Sequence, residues 1–362
     1  MDHDGGSDLR NFGALMNWDL NQKRIILIGG PGGVGKTTVA AALGVSLGLR
    51  GFRTLVLTVD PAKRLAQALG ITDFGQSLQK VECKDFPQLQ LTASMLDSEH
   101  YFDKVIERFA RSPEQKKKIL ENHLYRTMVE SLGGSHEYAA MERLLEFVSG
   151  SEYDKIVVDT PPTQNALDLL QAPQRLANFM DNSVLKWFQK KGGLHLFQRG
   201  TQMAMKALQT ILGSEFLEHL STFLGDLEGM QAGFRSRHLA VIELFKNPST
   251  AFALVTQASE ARFLESIEFH KALQREGISL ERLILNRMDL EFPFSLPQGL
   301  NEDKMKWLQG LQKHFEELSL VQQKWGEAFQ AAIKIPSVRI QRKSTPLNDI
   351  HALKDLGDEL IG

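Results

Sequence analysis

Apolar residues in this 362-residue chain follow two patterns: short unbroken runs set far apart, and long stretches repeating every three or four positions. The short runs begin with Arg24-Ile25-Ile26-Leu27-Ile28 and Thr54-Leu55-Val56-Leu57-Thr58-Val59. Residues 155–158, 251–256, 282–285 and 331–335 continue the series. Runs without alternation predict parallel strands buried on both faces. Several close on a polar or turn residue, namely Asp60, Asp159, Asn286 and Pro336. In an open α/β sheet that carboxyl edge is where ligands bind.

Helical periodicity governs two stretches between the strands, over about 99–147 and 174–245. Phe102, Val105, Ile106 and Phe109 belong to the first. Met205, Leu208, Leu212, Phe216, Leu220, Phe223, Leu227 and Met230 form a row in the second, interrupted by Gly213, Gly225 and Gly229. A compact open sheet does not need so many helices as connections. The expected fold is therefore α/β: a doubly wound, mostly parallel sheet with a helical subdomain inserted at about 98–150 and 171–247. Residues 1–22 lack an apolar run and are expected to be a flexible segment before one domain over 23–362. Residues 289–303, with Pro293 and Pro297, read as an irregular connection. Ile350, Leu353, Leu356 and Leu360 predict an amphipathic helix packed on the domain. Asp355, Asp358 and Glu359 outnumber Lys354 there, the reverse of a helix that grips anionic lipid.

Candidate chemistry sits just after the first strand. Gly30-x-x-x-x-Gly35-Lys36-Thr37 is the phosphate-loop pattern, and it lies between a predicted strand and a predicted helix from Lys36 to about Leu49. Gly30, Gly32, Gly33, Val34 and Gly35 supply backbone N–H groups for an anion nest, which the helix start at Lys36, Thr37 and Thr38 reinforces. Lys36 is expected on the β- and γ-phosphates, and the Thr37 hydroxyl on Mg²⁺. A sheet of the P-loop NTPase type, with ATP and Mg²⁺ as cofactors, is what this implies. Asp60 and Asp159 admit two readings. Aspartate after a strand is ordinarily a helix cap; beside a phosphate loop it serves Mg²⁺ or the attacking water.

Composition narrows the partners. Apolar residues make up 42% and charged residues 24%, as in an ordinary globular protein, and the formal net charge of −2 offers no basic excess for nucleic acid. The single cysteine, Cys83, excludes an intrachain disulfide and any Cys-x-x-Cys metal site. Neither a secretory signal nor a membrane-spanning run is read, so a cytoplasmic location is expected.

Together these segments resemble the ArsA family of ATPases, from about Lys23 to Gly362. That family includes the arsenite-pump ATPase and the ATPase that targets tail-anchored membrane proteins. The resemblance implies that Asp60-Pro61-Ala62 opens switch I, with Asp60 polarising the attacking water. It makes Asp159-Thr160-Pro161-Pro162-Thr163 switch II. Asn286 and Arg287 are similar to an adenine-recognising asparagine pair, and Pro336, Ser337 and Val338 to a loop covering the adenine face. The implied activity is ATP hydrolysis coupled to a conformational switch, with ATP and ADP, a membrane-protein partner or hydrophobic client, and a second copy in a homodimer as partners. Three departures stand out. Pro31 replaces the family's signature lysine, Cys83 cannot form the arsenite or zinc clusters, and Gln164-Asn165 replaces Gly-His after switch II. Rival readings are a spatial-organisation ATPase of the MinD or ParA type and a nucleotide-bound scaffold with little turnover.

Overall fold

The structure is a computed structural model. It describes residues 18–58, 63–71, 78–95, 98–122, 124–125, 135–161, 219, 222–223, 225–227, 230–289 and 301–362. The chain divides into two compact units, one of Met1–Met95, Phe147–Leu167 and Phe245–Gly362, the other of Leu96–Glu146 and Asp168–Leu244.

In the first unit the described strands are β1 (Ile25–Gly29), β2 (Thr54–Thr58), β3 (Gln79–Lys80), β4 (Leu91–Met95), β5 (Lys155–Asp159), β6 (Thr250–Thr256), β7 (Arg282–Met288) and β8 (Ser337–Gln341). They form one sheet in the order β3-β4-β2-β5-β1-β6-β7-β8. Every neighbouring pair is parallel except β3 with β4. This is the expected α/β architecture. The chain leaves β1 for β2 on one side and later crosses to β6 on the other. The carboxyl end of β1 is therefore the switch point of the sheet, where such folds leave a crevice.

Helix α1 (Lys36–Leu49) lies on this sheet at Gly44, where an added Cβ would stand 2.2 Å from the Val56 Cγ2 of β2. On its outer side α9 (Ile350–Ile361) closes the core with Ile350, Leu353, Leu356 and Leu360, as their spacing predicts. Gly357 makes that packing possible. A Cβ there would stand 2.3 Å from the Ala42 carbonyl oxygen, so only hydrogen lets the two helices approach so closely. Trp18 and Leu20, inside the segment expected to be flexible, are buried, and the Trp18 N–H donates to the Ile361 carbonyl at 3.0 Å. Among the described residues the unit also contains α2 (Lys63–Leu69), α7 (Glu260–Arg275) and α8 (Glu302–Ile333).

Helix α8 corrects the strand expected at 331–335. Ala331, Ala332 and Ile333 continue the helical period of Trp325 and Phe329, and a short apolar run does not distinguish the two. Lys334, in the left-handed conformation at φ 55°, ends the helix. Ser337 and Val338 then open β8. β7 also runs further than expected, so Asn286 and Arg287 lie within it and not after it.

The second unit contains α3 (Ser98–Phe109), α4 (Pro113–Glu121) and most of α5 (Ser135–Ser149) and α6 (Gln231–Lys246). Ser112 caps α4 by accepting from the Gln115 N–H at 3.2 Å. The Glu142 carboxylate, 1% exposed, accepts from Arg108 at 3.1 Å and from Arg237 at 2.7 Å, tying α3, α5 and α6 together. Of the expected apolar row, Phe223, Leu227 and Met230 are buried. Met205, Leu208, Leu212, Phe216 and Leu220 lie outside the described residues.

Candidate functional site

β1 delivers the glycine-rich loop to the switch point, and the local backbone explains the glycines. Gly30 has φ 149°, and a Cβ there would stand 1.9 Å from the Val255 carbonyl oxygen on β6. Gly35 has φ 99°, and its missing Cβ leaves the space occupied by the Asn286 amide nitrogen, 2.4 Å from where that carbon would be. Neither position accepts a side chain without moving backbone or neighbour. Helix α1 begins at Lys36 with no acidic residue in its first turn, so its N-terminal N–H groups and partial positive charge face the loop undiminished. Lys36 is buried, and its ammonium donates to the Pro31 carbonyl at 3.0 Å. The Pro31 carbonyl thus gives the Lys36 ammonium an oxygen partner within the loop. Gly32 in the loop and Thr38 in the first turn of α1 are half-buried, and Gly33 is exposed.

Strand β5 brings the carboxylate. Thr37 Oγ1 donates to Asp159 Oδ2 at 2.7 Å, and Thr58 Oγ1 donates to the same oxygen at 3.1 Å. Thr58 and Asp159 end their strands in register, which sets the second of these bonds. Thr58 was not legible as a site residue, because its bond depends on the register of β2 with β5. Thr160 fastens the strand ends together, donating from its N–H and hydroxyl to the Ile28 carbonyl at 3.2 and 2.9 Å.

Does this donor set suit Mg²⁺? Mg²⁺ prefers hard oxygen ligands and takes few of them from protein, the rest being phosphate oxygens and water. Thr37 and Asp159 offer that combination. Because the Thr37 proton points to Asp159, the hydroxyl lone pairs remain available to a cation. Among the described residues no group of three or more His, Cys, Asp or Glu side chains forms a cage of its own. The residues fit an ion shared with a polyphosphate.

The other expected site residues divide. Asn286 is nine-tenths buried at the carboxyl end of β7, and its Nδ2 donates to the Val34 carbonyl at 2.8 Å. The exposed Arg287 donates through Nη1 to the Gly33 carbonyl at 3.3 Å. Pro336, Ser337 and Val338 require correction. Ser337 and Val338 pair with Leu283 and Ile284 near the start of β7, at the opposite edge of the sheet from the phosphate loop. The chain reaches the loop's edge only on leaving β8, where the Arg342 N–H donates to the Met288 carbonyl at 2.8 Å. Asp60, Pro61 and Ala62 of the expected switch I lie outside the described residues, as do Pro162 to Asn165.

Comparison with known proteins gives a consistent result. The family model described as anion-transporting ATPase (ArsA) matches residues 23–328. The chain is 27% identical over 297 residues to ATPase GET3C of Arabidopsis thaliana, covering 79% of this chain and 70% of that protein. It is 24% identical over 339 residues to ATPase get3 of Schizosaccharomyces pombe, covering 93% and 90% respectively. An ATPase ASNA1 homolog of Plasmodium vivax is 24% identical over 349 residues, covering 94% of this chain and 80% of that one.

Proposed function

The chain belongs to the ArsA family of anion-transporting ATPases, and from that premise we propose that it hydrolyses ATP with Mg²⁺ and uses the cycle to drive a conformational switch for a hydrophobic client or a membrane-related partner. One observation carries the chemical half of this reading. A phosphate loop at the switch point of the sheet faces a threonine hydroxyl bonded to a buried carboxylate, Thr37 to Asp159 at 2.7 Å. The backbone N–H groups of 32–38 would hold the phosphates, and Lys36 would turn from the Pro31 carbonyl to the β- and γ-oxygens. Thr37 and Asp159 would hold Mg²⁺, which when bound neutralises charge developing on those oxygens. Asp60, two residues beyond Thr58 in sequence, would orient and polarise the attacking water.

The client half rests on chemistry and resemblance. One half-buried thiol, Cys83, cannot make the multidentate soft-ligand site that arsenite needs, which favours an apolar protein segment over a metalloid. Among the described residues no helix is long and apolar enough to cross a membrane. Cytoplasmic location and a homodimer remain part of this reading.

Steady-state phosphate release tests it, with Asp60→Asn beside the unaltered protein. We expect Asp60→Asn to keep Mg²⁺-ATP affinity while turnover falls by about a hundredfold. Unaltered turnover would make Asp60 a cap. Phosphate release by the unaltered protein no faster than by Lys36→Ala would instead leave a nucleotide-bound scaffold, the alternative that Pro31 keeps open.

A further inference from the structure

Two consecutive residues of β7, Asn286 and Arg287, each donate to a carbonyl of the phosphate loop more than 250 positions away in sequence. In a regular strand consecutive side chains point to opposite faces. Here the strand is irregular where this happens. Arg287 sits in the left-handed region at φ 57°, and the pairing of β7 with β8 shifts register between Leu285 and Met288. A non-glycine residue in that conformation is disfavoured and persists only where its surroundings over-determine it. Its surroundings do so. Asn286 Oδ1 accepts the Arg287 N–H at 2.9 Å, and Asp289, two residues further on, accepts from Gln322 of α8 at 2.8 Å and from Arg342.

The bonds fall on the loop's functional axis. An anion nest needs successive N–H groups turned inward, so the carbonyls between them must turn outward. Gly33 and Val34 are the residues whose outward carbonyls receive Arg287 and Asn286. The Asn286 amide also occupies the space that a Gly35 Cβ would take, so loop and strand end fit against each other. We propose that Asn286 and Arg287 are positioning residues for the phosphate loop, bracing the 33–35 backbone so that its N–H groups stay aimed at phosphate whatever base the ligand carries. This rests on the phosphate-site reading above. It adds the shaping of the phosphate cradle to the adenine contact that resemblance suggested for the pair.

The test is competition binding against a fluorescent ATP analogue, with ATP, GTP and inorganic tripolyphosphate as competitors, each with Mg²⁺. Asn286→Ala in the full chain should weaken all three by a common factor of about ten, the worth of one hydrogen bond that sets a rigid loop. A loss confined to ATP, with tripolyphosphate unaffected, would make Asn286 a base reader and overturn the brace. Binding unchanged for all three would overturn it as well. Lys36→Ala in the same series separates the two levels. If it alone loses binding, the brace fails and the phosphate site stands; if it also binds normally, both fail. Should Asn286→Ala not fold, Arg287→Ala removes an exposed side chain and leaves the core intact. Hydrogen exchange at amides 33–36 should then quicken by several-fold, and an unaltered rate would overturn the proposal.

Discussion

Thr37 on the first turn of α1 and Asp159 at the end of β5 are joined by a 2.7 Å hydrogen bond across 122 positions of sequence. The bond commits the threonine proton to the carboxylate and leaves the hydroxyl lone pairs for a cation. Thr37→Val should retain the fold, since valine matches the shape, while removing a ligand and the orientation of another. The Mg²⁺ concentration supporting half-maximal turnover should rise roughly tenfold to a hundredfold. A Mg²⁺ titration of phosphate release checks this; an unmoved midpoint would leave the pair a structural contact.

Gly357 supplies a stability prediction well away from nucleotide chemistry. A methyl group at this position meets the Ala42 carbonyl at 2.3 Å and the Ser46 Cβ at 2.7 Å. Gly357→Ala should therefore force α9 off α1 and destabilise the protein by about 1–3 kcal/mol, as overpacked cores do. Denaturant unfolding measures it. ATP affinity should stay unchanged, because Gly357 meets α1 at Ala42 and Ser46, beyond the first turn that carries Lys36 and Thr37.

How much of this was legible beforehand depends on the range of each signal. The phosphate loop and the strands feeding it are local: glycine spacing and unbroken Ile, Leu and Val runs give them away, and α1 spans Lys36–Leu49 as expected. β4 escaped because Thr92 and Ser94 interrupt its apolar residues. The expected strand at 331–335 failed because three apolar residues suit either period, and that error displaced Pro336, Ser337 and Val338 to the wrong sheet edge. Thr58 and the contacts of Asn286 with Val34 depend on register across the sheet, which no local pattern records.

Within the second unit, Glu142 should hold three helices together. Its carboxylate is buried, while Arg108 and Arg237 keep 44% and 25% of their side chains exposed and can rehydrate if it is lost. Glu142→Ala should then cost about 3 kcal/mol, the lower end for breaking a buried ion pair. Hydrogen exchange should quicken in α3, α5 and α6, with the sheet unit unaffected. Uniform protection would mean that apolar packing alone holds these helices.

Phosphate release from ATP, followed with and without free Mg²⁺ in the unaltered protein and in Lys36→Ala, tests the central claim most directly. A Mg²⁺-ATP site built on this loop should give saturable turnover that chelation abolishes. Lys36→Ala should lose that turnover together with at least about a hundredfold in ATP affinity, the scale of a charge-assisted contact to phosphate. Turnover that survives chelation, or survives Lys36→Ala at the unaltered rate, would contradict the assignment of this loop as the catalytic phosphate site.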